Sequence, residues 1–280
     1  MTYKIAEKKR LAQRARASRQ RASLPEIVLL LIMLVVNSTP ILWGLVTSLK
    51  TRREILVYPP KFFNFTPGLE HYFNVFRNGL DIGMRNSLLY SACTIALGLV
   101  LGLLAAYGFE RYHFPFKKIL FYIVIAGIPL SIGSAAMLIP NYLYMMELGL
   151  TNKWYTLILL YTAYNLPMAI WIMKGGIEAI PLEIEDAALI DGCSRAYIIG
   201  RLIPRLILPS IASSALFLFI GAWNEFITAA VMIYYFRGFF GTDWGALMAS
   251  AMIAVLPILV VFSFLGKLMV SGLTQGAVKG

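Results

Sequence analysis

Six long apolar stretches dominate this sequence and restrict what the chain can fold into. A membrane-spanning helix needs about 20 apolar residues, because its backbone must satisfy its own hydrogen bonds where no water is available. The stretches are 27–49, 87–109, 119–145, 154–173, 206–235 and 246–265. Five contain no charged residue, and the stretch 206–235 contains only Glu225. We therefore predict an all-α integral membrane protein with six transmembrane helices, in one domain of residues 27–266.

The composition supports a lipid environment. The chain is 59% hydrophobic and 14% charged, with a mean hydropathy of +0.72. Soluble domains usually contain about 25% charged residues, and a chain this apolar would expose too much apolar surface in water. No long polar stretch remains for a separate soluble domain.

The net charge of +11 is concentrated at the N-terminus, where eight basic residues face a single acid, Glu7, within the first 23 positions. The basic residues are Lys4, Lys8, Lys9, Arg10, Arg14, Arg16, Arg19 and Arg21. Such a tail can bind nucleic acid, but a basic flank that stays in the cytoplasm against anionic lipid is the favoured interpretation. The next apolar run is too long for the core of a cleavable signal peptide. We expect residues 1–26 to form a cytoplasmic tail and expect no nucleic-acid partner.

The distribution of Lys and Arg between the connecting segments predicts the orientation. With the N-terminus inside, the cytoplasmic segments contain 17 of these residues and the outer segments contain 8. The positive-inside rule therefore favours both termini in the cytoplasm, with residues 267–280 as a second cytoplasmic tail. The outer segment 50–85 is rich in aromatic residues, which fit either a belt at the membrane interface or a surface for an external partner.

Two further patterns bear on function. Cys93, Cys193, His71 and His113 show no metal-ligand spacing, so we expect no metal and no cofactor bound by this chain. Helix-breaking residues interrupt three of the stretches, and such breaks occur either along transport pathways or as ordinary kinks between packed helices. They are Asn37 to Pro40 in the first stretch, Pro129 and Pro140 in the third, and Asn165 and Pro167 in the fourth.

The loop 176–205, between the fourth and fifth stretches, has a distinct charge pattern. Pro181 can begin a helix, and acidic residues in the first turn oppose the helix dipole. Gly192 permits a sharp turn, and Ser194 can cap a second short helix that runs toward Arg201. The first helix is acidic, and anionic lipid headgroups would repel it. A protein partner is therefore the favoured interpretation of this loop.

The loop contains Glu185-Asp186-Ala187-Ala188 and Asp191-Gly192, and Pro209 follows it. In these residues it resembles the loop of the permease subunits of bacterial ATP-binding-cassette (ABC) importers. Two positions depart from the family pattern. Asp186 replaces a glutamate, and Pro204-Arg205 stands where Leu-Pro is usual.

The resemblance implies that the loop is a coupling helix that docks on an ATPase. The residues expected to take part are Glu183, Glu185, Asp186, Ala187, Ala188, Asp191, Gly192, Ser194, Arg195 and Arg201. The C-terminal sequence from Leu268 resembles the maltose-type branch of these permeases, in which the tail reaches the ATPase pair. Gln275, Lys279 and Gly280 are the expected contacts here. A frayed, glycine-rich end is the alternative.

The resemblance also implies the function: a permease subunit in the bacterial inner membrane that moves a sugar or sugar derivative inward. The chain contains no phosphate-binding loop, so ATP and Mg are expected on a separate ATPase dimer, and the chain itself is not an enzyme. The implied partners are that ATPase dimer, a second homologous permease and an external solute-binding protein, in addition to membrane lipid. A non-carbohydrate solute, or a secondary transporter, is the alternative.

A few polar residues within the apolar stretches are candidates for the solute pathway. A charged residue inside a membrane is expensive and often functional, which singles out Glu225. The candidates are Asn165, Trp223, Asn224 and Glu225. Alternatively, Glu225 pairs with an arginine or a backbone group of the neighbouring permease.

Overall fold

A computed structural model of the protein describes residues 23–131, 135–151, 153–236 and 243–276. All regular structure within these ranges is helical, which confirms the all-α prediction. The helices are α1 Leu24–Leu49, α2 Arg52–Ile55, α3 Glu70–Arg77, α4 Leu80–Arg111, α5 Lys117–Ala126, α6 Ile128–Ser131, α7 Ala135–Glu147, α8 Trp154–Glu178, α9 Leu182–Ile190, α10 Arg195–Tyr197, α11 Ile203–Leu206, α12 Leu208–Phe236 and α13 Trp244–Gly276. A π-helical turn, Ile198–Leu202, joins α10 to α11.

Four helices in the described ranges (α1, α4, α8 and α13) are long and apolar enough to cross a membrane. A fifth candidate is the bent pair formed by Arg195–Leu206 and Leu208–Asn224. The predicted span 119–145 is instead divided among α5, α6 and α7. Gly127 ends α5 and Pro129 lies at the start of α6, where a proline lacks the N–H that a continuous helix needs.

Close contacts at small residues hold α4, α8 and α12 together. Gly102 of α4 lies against α8, where an added Cβ would be 2.8 Å from Met173 Cε and 3.4 Å from Ala169 Cβ. Gly98 of α4 likewise meets Leu218 of α12. Membrane helices associate through such small residues because lipid provides no hydrophobic drive between helices.

The α12–α13 contact is centred on Trp223. Its side chain is fully buried, and its indole Nε1 donates a hydrogen bond to the Ala254 carbonyl of α13 at 2.8 Å. The ring stacks on Phe219, with centroids 5.6 Å apart and planes 14° from parallel. A buried tryptophan needs a partner for its N–H, and α13 supplies it.

Two sets of contacts show how the helices run. At one end of the bundle, Arg111 at the end of α4 donates hydrogen bonds to the Ile177 carbonyl in the last turn of α8, at 3.0 Å, and to the Ile180 carbonyl two residues beyond α8, at 2.9 Å. At the other end, His71 of α3 lies between α1 and α13: its Nε2 is 3.0 Å from the Lys50 carbonyl oxygen, and its ring lies against Gly245. The helices α4 and α8 therefore run in the same direction, toward the end of the bundle that carries α9.

The glycine contact between α4 and α8 can be tested by substitution. We expect Gly102→Val to lower the stability of the protein by about 1–3 kcal/mol, because the added methyl groups overpack the site against Met173 and Ala169. Thermal unfolding of the purified protein in detergent measures the effect. The matched control is Gly175→Val on α8, where an added Cβ meets nothing within 4 Å. Equal melting temperatures for the two variants would contradict the assignment.

Candidate functional site

The helix α9 and the turn after it form a compact projection at one end of the bundle. Pro181 occupies the N-cap position, and Glu183 and Glu185 lie in the first turn, where negative charge stabilises a helix. The helix ends at a turn in which Gly192 has a φ of +83°, a left-handed conformation that favours glycine. The Gly192 N–H donates to the Leu189 carbonyl at 3.0 Å and the Cys193 N–H to the Ala188 carbonyl at 2.9 Å, which closes the turn.

The predicted second helix is present but short. The Ser194 Oγ accepts a hydrogen bond from the Tyr197 N–H at 3.2 Å and so caps α10, as expected. The chain then continues through the π-helical turn, which contains Arg201, and α11. Pro204 is the second residue of α11, a position that tolerates a missing N–H. The axis bends by 85° between Arg195–Leu206 and Leu208–Asn224, so this loop meets α12 at nearly a right angle.

The outward face of α9 combines exposed apolar and acidic side chains. Leu182 is 57% exposed and Ile190 is 87% exposed, although both are large and apolar. Glu183, Asp186 and Asp191 are exposed around them. An exposed apolar surface with a polar rim is typical of a docking site for another protein.

Glu185 differs from the other acids because it points into the bundle. Its Oε1 lies 2.6 Å from Arg111 Nε, and its Oε2 accepts a hydrogen bond from the Tyr107 hydroxyl at 2.8 Å. The Arg111 and Glu185 side chains are only 9% and 7% exposed. Arg111 therefore binds at once the carboxylate, the Ile177 carbonyl in the last turn of α8 and the Ile180 carbonyl just beyond it. We name Tyr107, Arg111 and Glu185 the α9 clamp.

Sequence reasoning missed two members of the clamp. The sequence-based predictions give no role at this site to Tyr107 or Arg111. A signal was present, because Tyr107 and Arg111 are four residues apart and therefore share one helix face at the end of an apolar run. Of the other residues predicted to take part in coupling, Ala187, Ser194, Arg195 and Arg201 are exposed and Ala188 is half-buried.

A second group of charges lies at the same end of the bundle. Lys174 of α8 lies 2.8 Å from Glu110 Oε2 of α4 and 3.1 Å from Glu178 Oε2 of its own helix. Its ammonium also lies over the Phe121 ring of α5, 5.4 Å from the centroid. The ends of α4 and α8 are thus joined twice.

The candidate pathway residues fall in different surroundings. Asn165 is half-buried, donates to the Tyr161 carbonyl at 2.7 Å and lies directly against Gly221 of α12. Trp223 is buried in the α12–α13 contact, whereas Asn224 is exposed. Glu225 is in the helix α12, but its side chain lies outside the described part of the structure.

The C-terminal candidates are described only in part. Gln275 lies in the last turn of α13, and its side chain is outside the described part of the structure. Lys279 and Gly280 lie beyond the last described residue. Among the described residues, no group of three or more His, Cys, Asp or Glu side chains is placed to hold a metal ion.

Comparison with known proteins shows the family. The family model described as "Binding-protein-dependent transport system inner membrane component" matches residues 98–276. The chain is 30% identical to the sulfoquinovosyl glycerol transport system permease protein SmoH of Agrobacterium fabrum, over 89% of this chain and 91% of that protein. It is 31% identical to the diacetylchitobiose uptake system permease protein DasC of Streptomyces coelicolor, over 86% of this chain and 91% of that protein. It is also 31% identical to the trehalose transport system permease protein SugB of Mycobacterium tuberculosis, over 86% of this chain and 92% of that protein.

The fold agrees with a solved structure. A bacterial ABC transporter that imports the acidic polysaccharide alginate contains a chain that superposes with a TM-score of 0.67 at 18% identity, over 86% of this chain and 94% of that one. The resemblance to ABC importer permeases is thus confirmed, and with it a multi-pass location in the inner membrane. Proteins of this kind are transporter subunits rather than enzymes. The chain belongs to the family of inner membrane components of binding-protein-dependent transport systems.

Proposed function

We propose that this chain is a membrane-spanning permease subunit of an ABC importer and carries a sugar or sugar derivative inward. The observation that carries the proposal is the projection formed by α9, which presents an apolar and acidic surface at one end of an apolar bundle. The named relatives transport sulfoquinovosyl glycerol, diacetylchitobiose and trehalose, which are all sugars or sugar derivatives. ATP and Mg would bind a separate ATPase dimer, since this sequence has no phosphate loop.

The proposed topology has six spans with both termini in the cytoplasm. Since α4 and α8 run in the same direction, the chain between Arg111 and Trp154 must return along the bundle. The helices α5, α6 and α7 occupy that segment and supply the return crossing. The alternative, four or five spans, would leave α4 and α8 without a connection of the required length. The excess of Lys and Arg on the α9 side supports a cytoplasmic location for that side.

The outward face of α9 would insert into a cleft of the ATPase. Leu182 and Ile190 supply the apolar centre, and Glu183, Asp186 and Asp191 supply acids that a basic partner surface would complement. Ala187, Ala188, Gly192, Ser194, Arg195 and Arg201 complete the proposed coupling region. Glu185 would act from inside, by holding α9, rather than by touching the ATPase. Movement of α9 when the ATPase closes would then favour one of two packed states of the bundle.

The proposed solute path runs beside the α8–α12 contact. Asn165 and Asn224 offer amides that can hydrogen-bond sugar hydroxyls, and Glu225 offers a carboxylate. Trp223 would shape the path through its packing rather than by contact with solute. At the C-terminus, Gln275, Lys279 and Gly280 are proposed to touch the ATPase pair. A second permease and an external solute-binding protein would complete the transporter, and binding of labelled sugars to that external protein would identify the solute.

The docking surface predicts a loss of partner binding. We expect Ile190→Asp to weaken retention of the ATPase by roughly 30-fold, equivalent to about 2 kcal/mol, because it places a charge at the centre of an apolar contact. The measurement is the amount of ATPase that co-purifies with the tagged permease in mild detergent. Leu56→Asp is the control and should retain the ATPase, because Leu56 is also largely exposed, at 72% against 87% for Ile190, and lies at the end of α2, away from α9. Full retention by Ile190→Asp would contradict the docking proposal.

The glycine turn predicts uncoupling. We expect Gly192→Val to keep ATP hydrolysis but reduce transport by roughly tenfold, because a β-branched residue with positive φ costs on the order of 1–3 kcal/mol and shifts the loop. Uptake and hydrolysis are measured together in reconstituted vesicles. Gly200→Ala serves as control, since Gly200 has no positive φ and an added Cβ meets nothing within 4 Å. A Gly192→Val transporter with an unchanged ratio of uptake to hydrolysis would remove the turn from the mechanism.

The intramembrane acid predicts a transport defect of another kind. We expect Glu225→Gln to reduce solute uptake by about 10- to 100-fold, the range for loss of a hydrogen bond to a charged group, while ATPase docking is retained. Uptake of labelled sugar and co-purification of the ATPase distinguish the two steps. Glu147→Gln, an exposed acid at the end of α7, is the matched control. Normal uptake by Glu225→Gln would exclude a role for this carboxylate.

A further inference from the structure

The α9 clamp satisfies its polar groups almost completely. Each oxygen of the Glu185 carboxylate has its own donor: Arg111 Nε at 2.6 Å for Oε1 and the Tyr107 hydroxyl at 2.8 Å for Oε2. A second nitrogen of the same guanidinium reaches the Ile177 and Ile180 carbonyls at 3.0 and 2.9 Å. Charge-assisted hydrogen bonds of this length are strong and directional. The clamp therefore fixes the position of α9 relative to the ends of both α4 and α8.

The stability of the bundle does not require this ion pair. The helices α4 and α8 already pack through Gly102, Ala169 and Met173. A buried ion pair contributes little net stability, because removing both charges from water offsets most of their attraction. The ion pair instead fixes the position of α9 relative to α4 and α8.

The rest of α9 is attached only lightly. Glu185 is its one buried residue, and Ala188 is half-buried against the core. Short turns precede and follow the helix, one at Ala179 to Pro181 and one at Asp191 and Gly192. With so few contacts, α9 would swing on these turns if the clamp were absent.

We propose that Tyr107, Arg111 and Glu185 are positioning residues that make α9 move as one rigid unit with the ends of α4 and α8. A displacement of α9 is then transmitted to these two helices instead of being absorbed in the flanking turns. The inference rests on the proposed function, because the force on α9 comes from the docked ATPase. It assigns the transmission step to residues outside the docking surface.

The test uses the complete transporter, purified with its ATPase and placed in lipid nanodiscs. Cys93 and Cys193 are replaced by serine, and spin labels are attached at Leu104→Cys on α4 and Leu259→Cys on α13, two exposed positions. The distance between the labels is compared without nucleotide and after trapping with ATP and vanadate. In the transporter with the native clamp residues, this distance should change clearly between the nucleotide-free and the vanadate-trapped states. The double variant Arg111→Met/Glu185→Gln, which removes both charges together and avoids an unpaired buried ion, should lose at least half of that change.

Two readouts separate transmission from docking and from folding. The double variant should keep the ATPase bound and trap vanadate as the native transporter does. The number of ATP molecules that it hydrolyses for each solute molecule taken up should rise about fivefold or more, since fivefold is the lower end of allosteric coupling. Tyr107→Phe, which removes a single hydrogen bond and keeps the ring, should give a smaller loss. Glu178→Gln is the matched control, because it breaks an exposed ion pair at the same end of the bundle.

The outcomes distinguish the clamp from the proposed function. A full distance change in the double variant, with the ATPase bound, would overturn the clamp and leave the proposed function intact. Failure of the native chain to retain an ATPase, or to change its label distance with ATP and vanadate, would overturn both. If the double variant does not assemble, Tyr107→Phe decides: a distance change equal to that of the native transporter counts against the clamp, and a reduced one supports it.

Discussion

The structure depends on the close contact between α4 and α8. Gly102 allows the two helices to approach until Ala169 and Met173 fill the space that a side chain would occupy. Because both helices run in the same direction, their C-terminal ends lie side by side, and Arg111 can reach backbone carbonyls at and just beyond the end of α8. The same arrangement supplies a fixed base for α9. One backbone approach thus determines the position of the projection.

The sequence predicted most of the long helices because lipid imposes a simple rule on them. Runs of apolar residues located α1, α4, α8, α12 and α13, although α4 begins 7 residues before its apolar run and α13 ends 11 residues after its run. Ser194 was correctly predicted as a helix cap. The third stretch was less predictable. Its apolar character is continuous, but Gly127 and Pro129 interrupt the backbone, so the local helical structure is divided even though the composition is uniform.

Side-chain roles at the site were harder to predict, because they depend on partners far away in the sequence. In the sequence nothing distinguishes Glu185 from the other acidic residues of α9. In the fold it is buried against Arg111, which lies 74 residues earlier in the chain. Trp223 and Asn224 are adjacent, and only the packing of α13 shows that one is buried and the other exposed. The hydrophobic pattern predicts where the helices lie. Contacts between residues distant in the sequence determine which polar side chains are buried and which stay exposed.

The exposed apolar surface of α1 affects how the protein inserts into the membrane. Its first half has apolar side chains exposed on all sides, and its few buried residues, Gly44, Thr47 and Ser48, lie near its C-terminal end. Such a helix is stable in lipid alone and can enter the bilayer during synthesis before any neighbour exists. By contrast, α8 contains the buried Thr162 and the half-buried Asn165, and Asn165 depends on α12 for its cover at Gly221. The order of helices along the chain therefore suits a membrane insertion pathway in which α1, the more apolar and less packed of the two segments, leaves the ribosome before α8.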